Sequence, residues 1–344
     1  MLGKLPGRMI RALGAAPEEG GVRAALIETD GVTIAAFGET TFRPYSPAEA
    51  ALIWAARSHG PDAALVEIVE TTHASAMSRL PGAVIAGFDG LPPEGGGDQC
   101  NLGCGSILAE VLGLPVVWDF HASDLGLGGL GGPIDPFFHF ACARRAGLTA
   151  PVAFLILGPV CRLIWVDPAR ARAEEPGACL TFDVGPGVVG HGAGQVDGAV
   201  IDALMQNGYF LKMPPKLAPA GAFAAYHRGL AALDPPDAAA TSRAALAAAL
   251  ARGFEHLPTL PDRLLVQGQA DAALLCGLAA SLGCPVAPVA SIGLDGDAMG
   301  AQALAYLAVR VARGLPTTGP GTTGVAAAVG GGQISRPSSP QPQG

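Results

Sequence analysis

Two aspartates, Asp119 and Asp124, stand between an apolar run and a glycine-rich segment, with His121 between them. The run is Leu114–Trp118 (LPVVW), whose β-branched residues read as a short buried strand. The segment holds Gly126, Gly128, Gly129, Gly131 and Gly132, then Pro133, and His139 follows in FFHF. Glycines in such a segment let the backbone approach a ligand closely. A carboxylate just past a strand end, facing a loop of this kind, can act as a general base. The same aspartates can equally cap the next turn or helix. A second candidate is Phe182–Gly187 (FDVGPG), where Asp183 and a Gly-Pro-Gly turn directly follow a strand-like run.

The elements that must position these residues follow from the pattern. Val22–Glu28 and Val32–Phe37 read as a hairpin around Asp30-Gly31. Ser46, Pro47 and Glu49 make a capping box with proline at the first helical position, and the helix runs to about Ser58. A helix over 63–80, a strand at 83–86 and a helix over 103–112 lead into the central stretch. A second half opens near Pro151 with strand-like runs at 152–157, 161–166 and 179–183. A helix over 196–207, a loop at Pro214-Pro215-Lys216 and an alanine-rich helix over 238–254 come next. Strands at 263–267 and 285–289 flank a helix over 271–282, and 296–313 has the three- and four-residue apolar spacing of a long amphipathic helix. Strands followed by helices, twice, predict two α/β lobes with a cleft between them. The expected division is an irregular N-terminus (1–21), lobes over 22–150 and 151–329, and a disordered Gly/Ser/Pro/Gln tail (330–344).

Composition excludes several classes. The 344 residues carry a net charge of −8 and no Lys/Arg cluster, against nucleic acid as the main partner. No run of eighteen apolar residues suggests a membrane span, and residues 1–12 lack the apolar core of a secretory signal. Seven scattered cysteines fit free thiols in a reducing compartment, so a cytoplasmic protein is expected. Cys100 and Cys104, the close pair, have no second pair to complete a zinc site and read as small buried residues; no metal site is expected.

Four segments, in collinear order, resemble the 1,6-anhydro-N-acetylmuramic acid kinases. PVVWDFHASDLGLGGLGGPIDPFFH is similar to that family's PVVADFRxxDxAxGGQGAPLxPxFH, FDVGPG to FDTGPGN, and 196–216 to a helix followed by PYFxxPPPKS. The stretch 293–325 is similar to its last helix and following loop. The resemblance implies the two-lobed sugar kinase/Hsp70/actin (ribonuclease H-like) fold, an α/β architecture with an inter-lobe cleft. It also implies ATP- and water-dependent opening and 6-phosphorylation of a small anhydro amino sugar in cell-wall recycling, with ATP and Mg as cofactors, and leaves a homodimer open. Carried over, Asp124 is the base that activates water, and Asp119, His121, Gly128, Gly129 and His139 lie on the sugar side. Asp183, Gly185, Gly187 and Gly268 lie on the nucleotide side.

The departures concern ligand loops. Where the family has MSGTSxDGxDAAL, this chain has Gly14-Ala15-Ala16-Pro17-Glu18-Glu19-Gly20-Gly21-Val22-Arg23-Ala24-Ala25-Leu26. The hydroxyls and aspartates are gone, Pro17 has no N–H to donate, and two glutamates stand where phosphate oxygens would sit. HGQT becomes Phe88-Asp89-Gly90, the DFR arginine is His121, the GGQG glutamine is Leu130, and the glutamate of DAxEA is Gly300. The sequence therefore predicts a scaffold that persists with phosphoryl transfer impaired or lost, taking ATP and Mg if active and otherwise no cofactor. The alternatives are a working kinase with an altered phosphate site, or an interaction protein using its tail or a lobe surface. His73, in TTHASAM, is expected to be merely packed or solvated on its helix.

Overall fold

The computed structural model describes residues 7–59, 63–91 and 102–338, with side chains left undescribed at 54–59. Its strands are β1 (Ile10–Glu18), β2 (Gly21–Thr29), β3 (Ile34–Pro44), β4 (Ile85–Phe88), β5 (Val116–Trp118), β6 (Val152–Ile156), β7 (Val160–Val166), β8 (Cys179–Pro186), β9 (Leu264–Gln267), β10 (Val286–Pro288) and β11 (Gln333–Ser335). The helices are α1 (Pro47–His59), α2 (Ala63–Met77), α3 (Gly105–Leu112), α4 (Ala122–Gly126), α5 (Pro136–Arg145), α6 (Gly198–Met205), α7 (Ala224–Ala231), α8 (Pro235–Phe254), α9 (Ala272–Leu282), α10 (Met299–Ala312) and α11 (Pro320–Thr323).

Contacts divide the chain into two units. The first takes the described residues of Met1–Ala141, Ala298–Gly319 and Val325–Gly344; the second takes Cys142–Asp297 and Pro320–Gly324. The first sheet has the order β11-β5-β4-β1-β2-β3, and the second β10-β9-β6-β7-β8. Each contains a three-stranded antiparallel meander whose first strand pairs in parallel with a later strand, which pairs in parallel with the next. Parallel pairing needs long crossovers, and the intervening helices supply them. The same five-strand order, built twice, is the duplicated ribonuclease H-like topology.

In the first unit, β1 shows why helices cover both faces of the sheet. Leu13 and Ala15 join Leu26, Val69, Met77, Phe88 and Leu108 in a core under α2 and α3. The alternate residue Gly14 faces α10 so closely that a Cβ there would lie 1.9 Å from the Ala301 carbonyl oxygen. Gly87 on β4 makes a matching approach, 2.2 Å from the Leu304 carbonyl oxygen. In the second unit, Leu155, Leu163, Phe182, Leu246, Leu250, Leu274 and Leu278 form the core between sheet, α8 and α9. Tyr209, Phe210, Phe223, Tyr226 and Leu230 form a satellite cluster.

Several expectations are corrected. Residues 10–18, expected to be irregular, form the central strand β1: alanine, glycine and proline carry little local β signal, but β2 and β4 pair with both edges. The long amphipathic helix, assigned by chain order to the second lobe, joins the first unit as α10, because its backbone packs on the two glycines. The tail is structured at Gln333–Ser335, where β11 pairs with β5 and Trp118 Nε1 donates to Ser335 Oγ at 3.0 Å; residues 339–344 lie outside the described residues. Cys104, expected to be buried, is half-buried ahead of α3, and Cys100 lies outside the described residues. The capping box is present: Ser46 N donates to Glu49 Oε2 at 2.7 Å and Glu49 N to Ser46 Oγ at 3.3 Å. Among the described residues no helix is long and apolar enough to cross a membrane.

Candidate functional site

Asp124 lies in the short helix α4 and is buried, 1% exposed. Its Oδ1 accepts from Gly131 N at 2.8 Å and its Oδ2 from Thr318 Oγ1 at 2.5 Å. Glycine at 129 is needed because a Cβ there would stand 2.0 Å from Asp124 Oδ1. Gly128 and Gly131 have φ of 83° and 77°, a region disfavoured for side-chain-bearing residues. The glycine-rich loop thus wraps the carboxylate.

His121 precedes α4 and points across the loop. Its Nδ1 lies 2.6 Å from the Gly131 carbonyl oxygen and its Nε2 3.0 Å from both Asp89 oxygens. Asp89 follows β4 directly, which is how a residue far off in sequence reaches the ring. Burial opposes the imidazolium, but the charge and hydrogen bond of Asp89, the Gly131 carbonyl and the charge of Asp119 outweigh it, raising the His121 pKa to about 9. Asp119 has φ of 54°, and its Oδ2 accepts from Gln333 Nε2 at 2.7 Å. His139 is buried, 1% exposed, with Nδ1 2.9 Å from the Asp135 carbonyl oxygen and its ring edge-on to Phe138. The first unit therefore gathers Asp119, His121, Asp124, Gly128 and Gly129 on one loop system. Sequence spacing missed Asp89 and Thr318, since neither is near it along the chain.

In the same unit, β1 turns into β2 through Glu19 and Gly20 alone, with Glu18 paired to Gly21. Arg23 closes the turn: its Nε and Nη2 donate to Glu18 Oε1 and Oε2 at 2.6 and 3.1 Å, and its guanidinium lies over Phe42. Glu19 in the turn and Glu18 at the end of β1 thus place two carboxylates together, and the neighbouring arginine is already engaged in a bidentate pair.

In the second unit, Asp183 lies inside β8, which continues through Gly185 and Pro186 paired to β7, where the sequence suggested a Gly-Pro-Gly turn. Its Oδ1 accepts from Arg162 Nε at 3.2 Å and its Oδ2 from Ala218 N at 2.9 Å. Its backbone N–H donates to the Lys216 carbonyl and its carbonyl accepts from Tyr209 Oη at 2.7 Å. Lys216 is itself buried, with Nζ 4.7 Å from the Tyr209 ring centre and donating to the Tyr209 carbonyl. Burial, then the charges of Arg252 and Lys212, lower its pKa. Gly187 is required by contact, as a Cβ would come 2.0 Å from the Gly158 carbonyl oxygen. Gly185 packs against Ala249, and Gly268 turns at φ 107° beside Leu157. Asp183 thus has an arginine and a loop amide as internal partners, which the sequence did not reveal. Among the described residues no group of histidine, cysteine and acidic side chains is arranged to hold a metal ion.

Duplicated ribonuclease H-like units, one carrying a buried aspartate in a glycine-rich loop and the other an Asp-x-Gly-Pro-Gly segment that closes a strand, define the sugar kinase/Hsp70/actin class. The anhydro-N-acetylmuramic acid kinase family model matches residues 188–336. The anhydro-N-acetylmuramic acid kinase of Cereibacter sphaeroides is 47% identical, covering 92% of this chain and 93% of that protein. Those of Jannaschia sp. (strain CCS1) and Ruegeria sp. (strain TM1040) are each 42% identical, covering 92% and 95% of this chain and 92% and 95% of theirs. The chain belongs to the anhydro-N-acetylmuramic acid kinase family. Among solved structures it is similar to a ROK family glucokinase from Streptomyces griseus (14% identity, 87% and 99% coverage, TM-score 0.38).

Proposed function

We propose that this chain is an anhydro-N-acetylmuramic acid kinase-like protein in which ATP-dependent phosphoryl transfer is impaired or lost. The observation that carries this reading is the β1–β2 turn: only Glu19 and Gly20 long, flanked by the strand-end Glu18, and closed by the Arg23–Glu18 pair. Phosphoryl transfer depends almost entirely on positioned donors and cations around the phosphates. Each such donor is worth about 10²–10³ in rate, so losing a set of them removes most of the catalysis. The Arg162–Asp183 pair supports the same reading, because it neutralises the aspartate that the family resemblance assigns to the nucleotide side.

The relatives named above support a small anhydro amino sugar as the ligand class. A second reading, an active kinase with an altered ATP site, is supported by their high identity and by the intact Asp124 with its wrapped loop.

Calorimetric titration of the full chain separates the two. The expected result is no heat from Mg-ATP, with or without 1,6-anhydro-N-acetylmuramic acid. Saturable Mg-ATP binding at micromolar concentration would overturn the proposal.

A further inference from the structure

Within the first unit, both nitrogens of the His121 ring face acceptors. A carbonyl oxygen (Gly131) and an ionised carboxylate (Asp89) accept hydrogen bonds and cannot donate them. With Asp89 ionised, both ring nitrogens must therefore carry protons, and His121 is an imidazolium. Residue 131 passes this constraint on: its carbonyl is held by the ring while its N–H donates to Asp124 Oδ1 at 2.8 Å. The other carboxylate oxygen is held by Thr318. At Gly129 the backbone approaches Asp124 so closely that there is no room for a Cβ.

We propose that Asp89 and His121 are positioning residues, forming a charged latch that pins the glycine-rich loop to the end of β4 and so fixes the Asp124 carboxylate. The charged groups facing the ring are Asp89, from the end of β4, and Asp119, from its own segment. The latch uses both N–H groups of His121 inside the chain, at the place where the family motif has an arginine. It therefore orders the loop without any ligand. The raised pKa of His121 agrees with this geometry.

The test is histidine ¹⁵N and amide NMR on the full chain, with Asp89→Asn and His121→Arg as variants. In the native protein both His121 nitrogens are expected to be protonated at pH 7.5. The Gly131 amide shift is expected to move with the same alkaline midpoint as the ring. Asp89→Asn should lower that midpoint by about one pH unit or more. It should also speed Gly131 amide exchange by about tenfold while leaving the Leu26 amide in β2 unchanged. His121→Arg, which keeps a charged donor, should preserve Gly131 protection. A ring with one protonated nitrogen at pH 7.5, or Gly131 exchange unaltered in Asp89→Asn, would overturn the proposal.

Discussion

Thr318 donates its hydroxyl to Asp124 at 2.5 Å, joining two buried side chains that lie 194 residues apart in sequence. The bond explains how a carboxylate at 1% exposure is tolerated: a buried charge must be met by donors on each oxygen. Thr318→Val keeps the shape and removes the donor. It is expected to cost about 1–3 kcal/mol in urea unfolding, and Thr318→Ser is expected to recover most of the loss.

Gly14→Ala tests the contact between β1 and α10. The added carbon would fall 1.9 Å from a helix carbonyl oxygen, and backbone cannot rotate away as a flexible side chain can. A loss of about 1–3 kcal/mol, read as a lower thermal midpoint, is expected. Gly20→Ala, in the β1–β2 turn where nothing crowds the site, should cost less and report only its φ of 84°.

His73 gives the acid side of the stability curve. Burial lowers its pKa from 6.5 to about 4, with the Val69 carbonyl opposing, and its Nε2 has no hydrogen-bond partner among the described residues. The unfolded chain therefore binds the proton more readily between these values. The neutral ring's contribution is fully present above pH 6.5 and is lost as the pH falls toward 4, by an amount on the order of 3 kcal/mol. His73→Leu should flatten this part of the unfolding free energy measured against pH. His121 has the opposite sign: its contribution is complete below 6.5 and is lost as the pH rises through about 9.

Deleting residues from Gln333 onward should unpair the β5 edge and strip the Trp118 indole of its Ser335 partner. A red-shifted tryptophan emission and a loss of about 1–2 kcal/mol in stability are expected. An unchanged melting midpoint would show that β11 adds nothing to the sheet.

Much of the architecture was readable along the chain because its signals are local. The Ser46–Glu49 capping box, the β2 run and the apolar periodicity of α10 each specify an element from adjacent residues. Strand β1 was not, since its Ala-Gly-Pro composition becomes a strand only through partners on both sides. The site divides in the same way. Asp119, His121, Asp124 and their glycines lie close together in sequence, so spacing exposed them. Asp89, Thr318 and Arg162 reach their partners from 32, 194 and 21 residues away, and no period or motif encodes such distances.

We propose that the acidic β1–β2 turn impairs or abolishes phosphoryl transfer. This is tested most directly by following ADP release from Mg-ATP by the full chain in the presence of 1,6-anhydro-N-acetylmuramic acid. The expected result is no sugar-dependent release above the background of ATP with protein alone. Sugar-dependent ADP release together with a 6-phosphorylated product would contradict it.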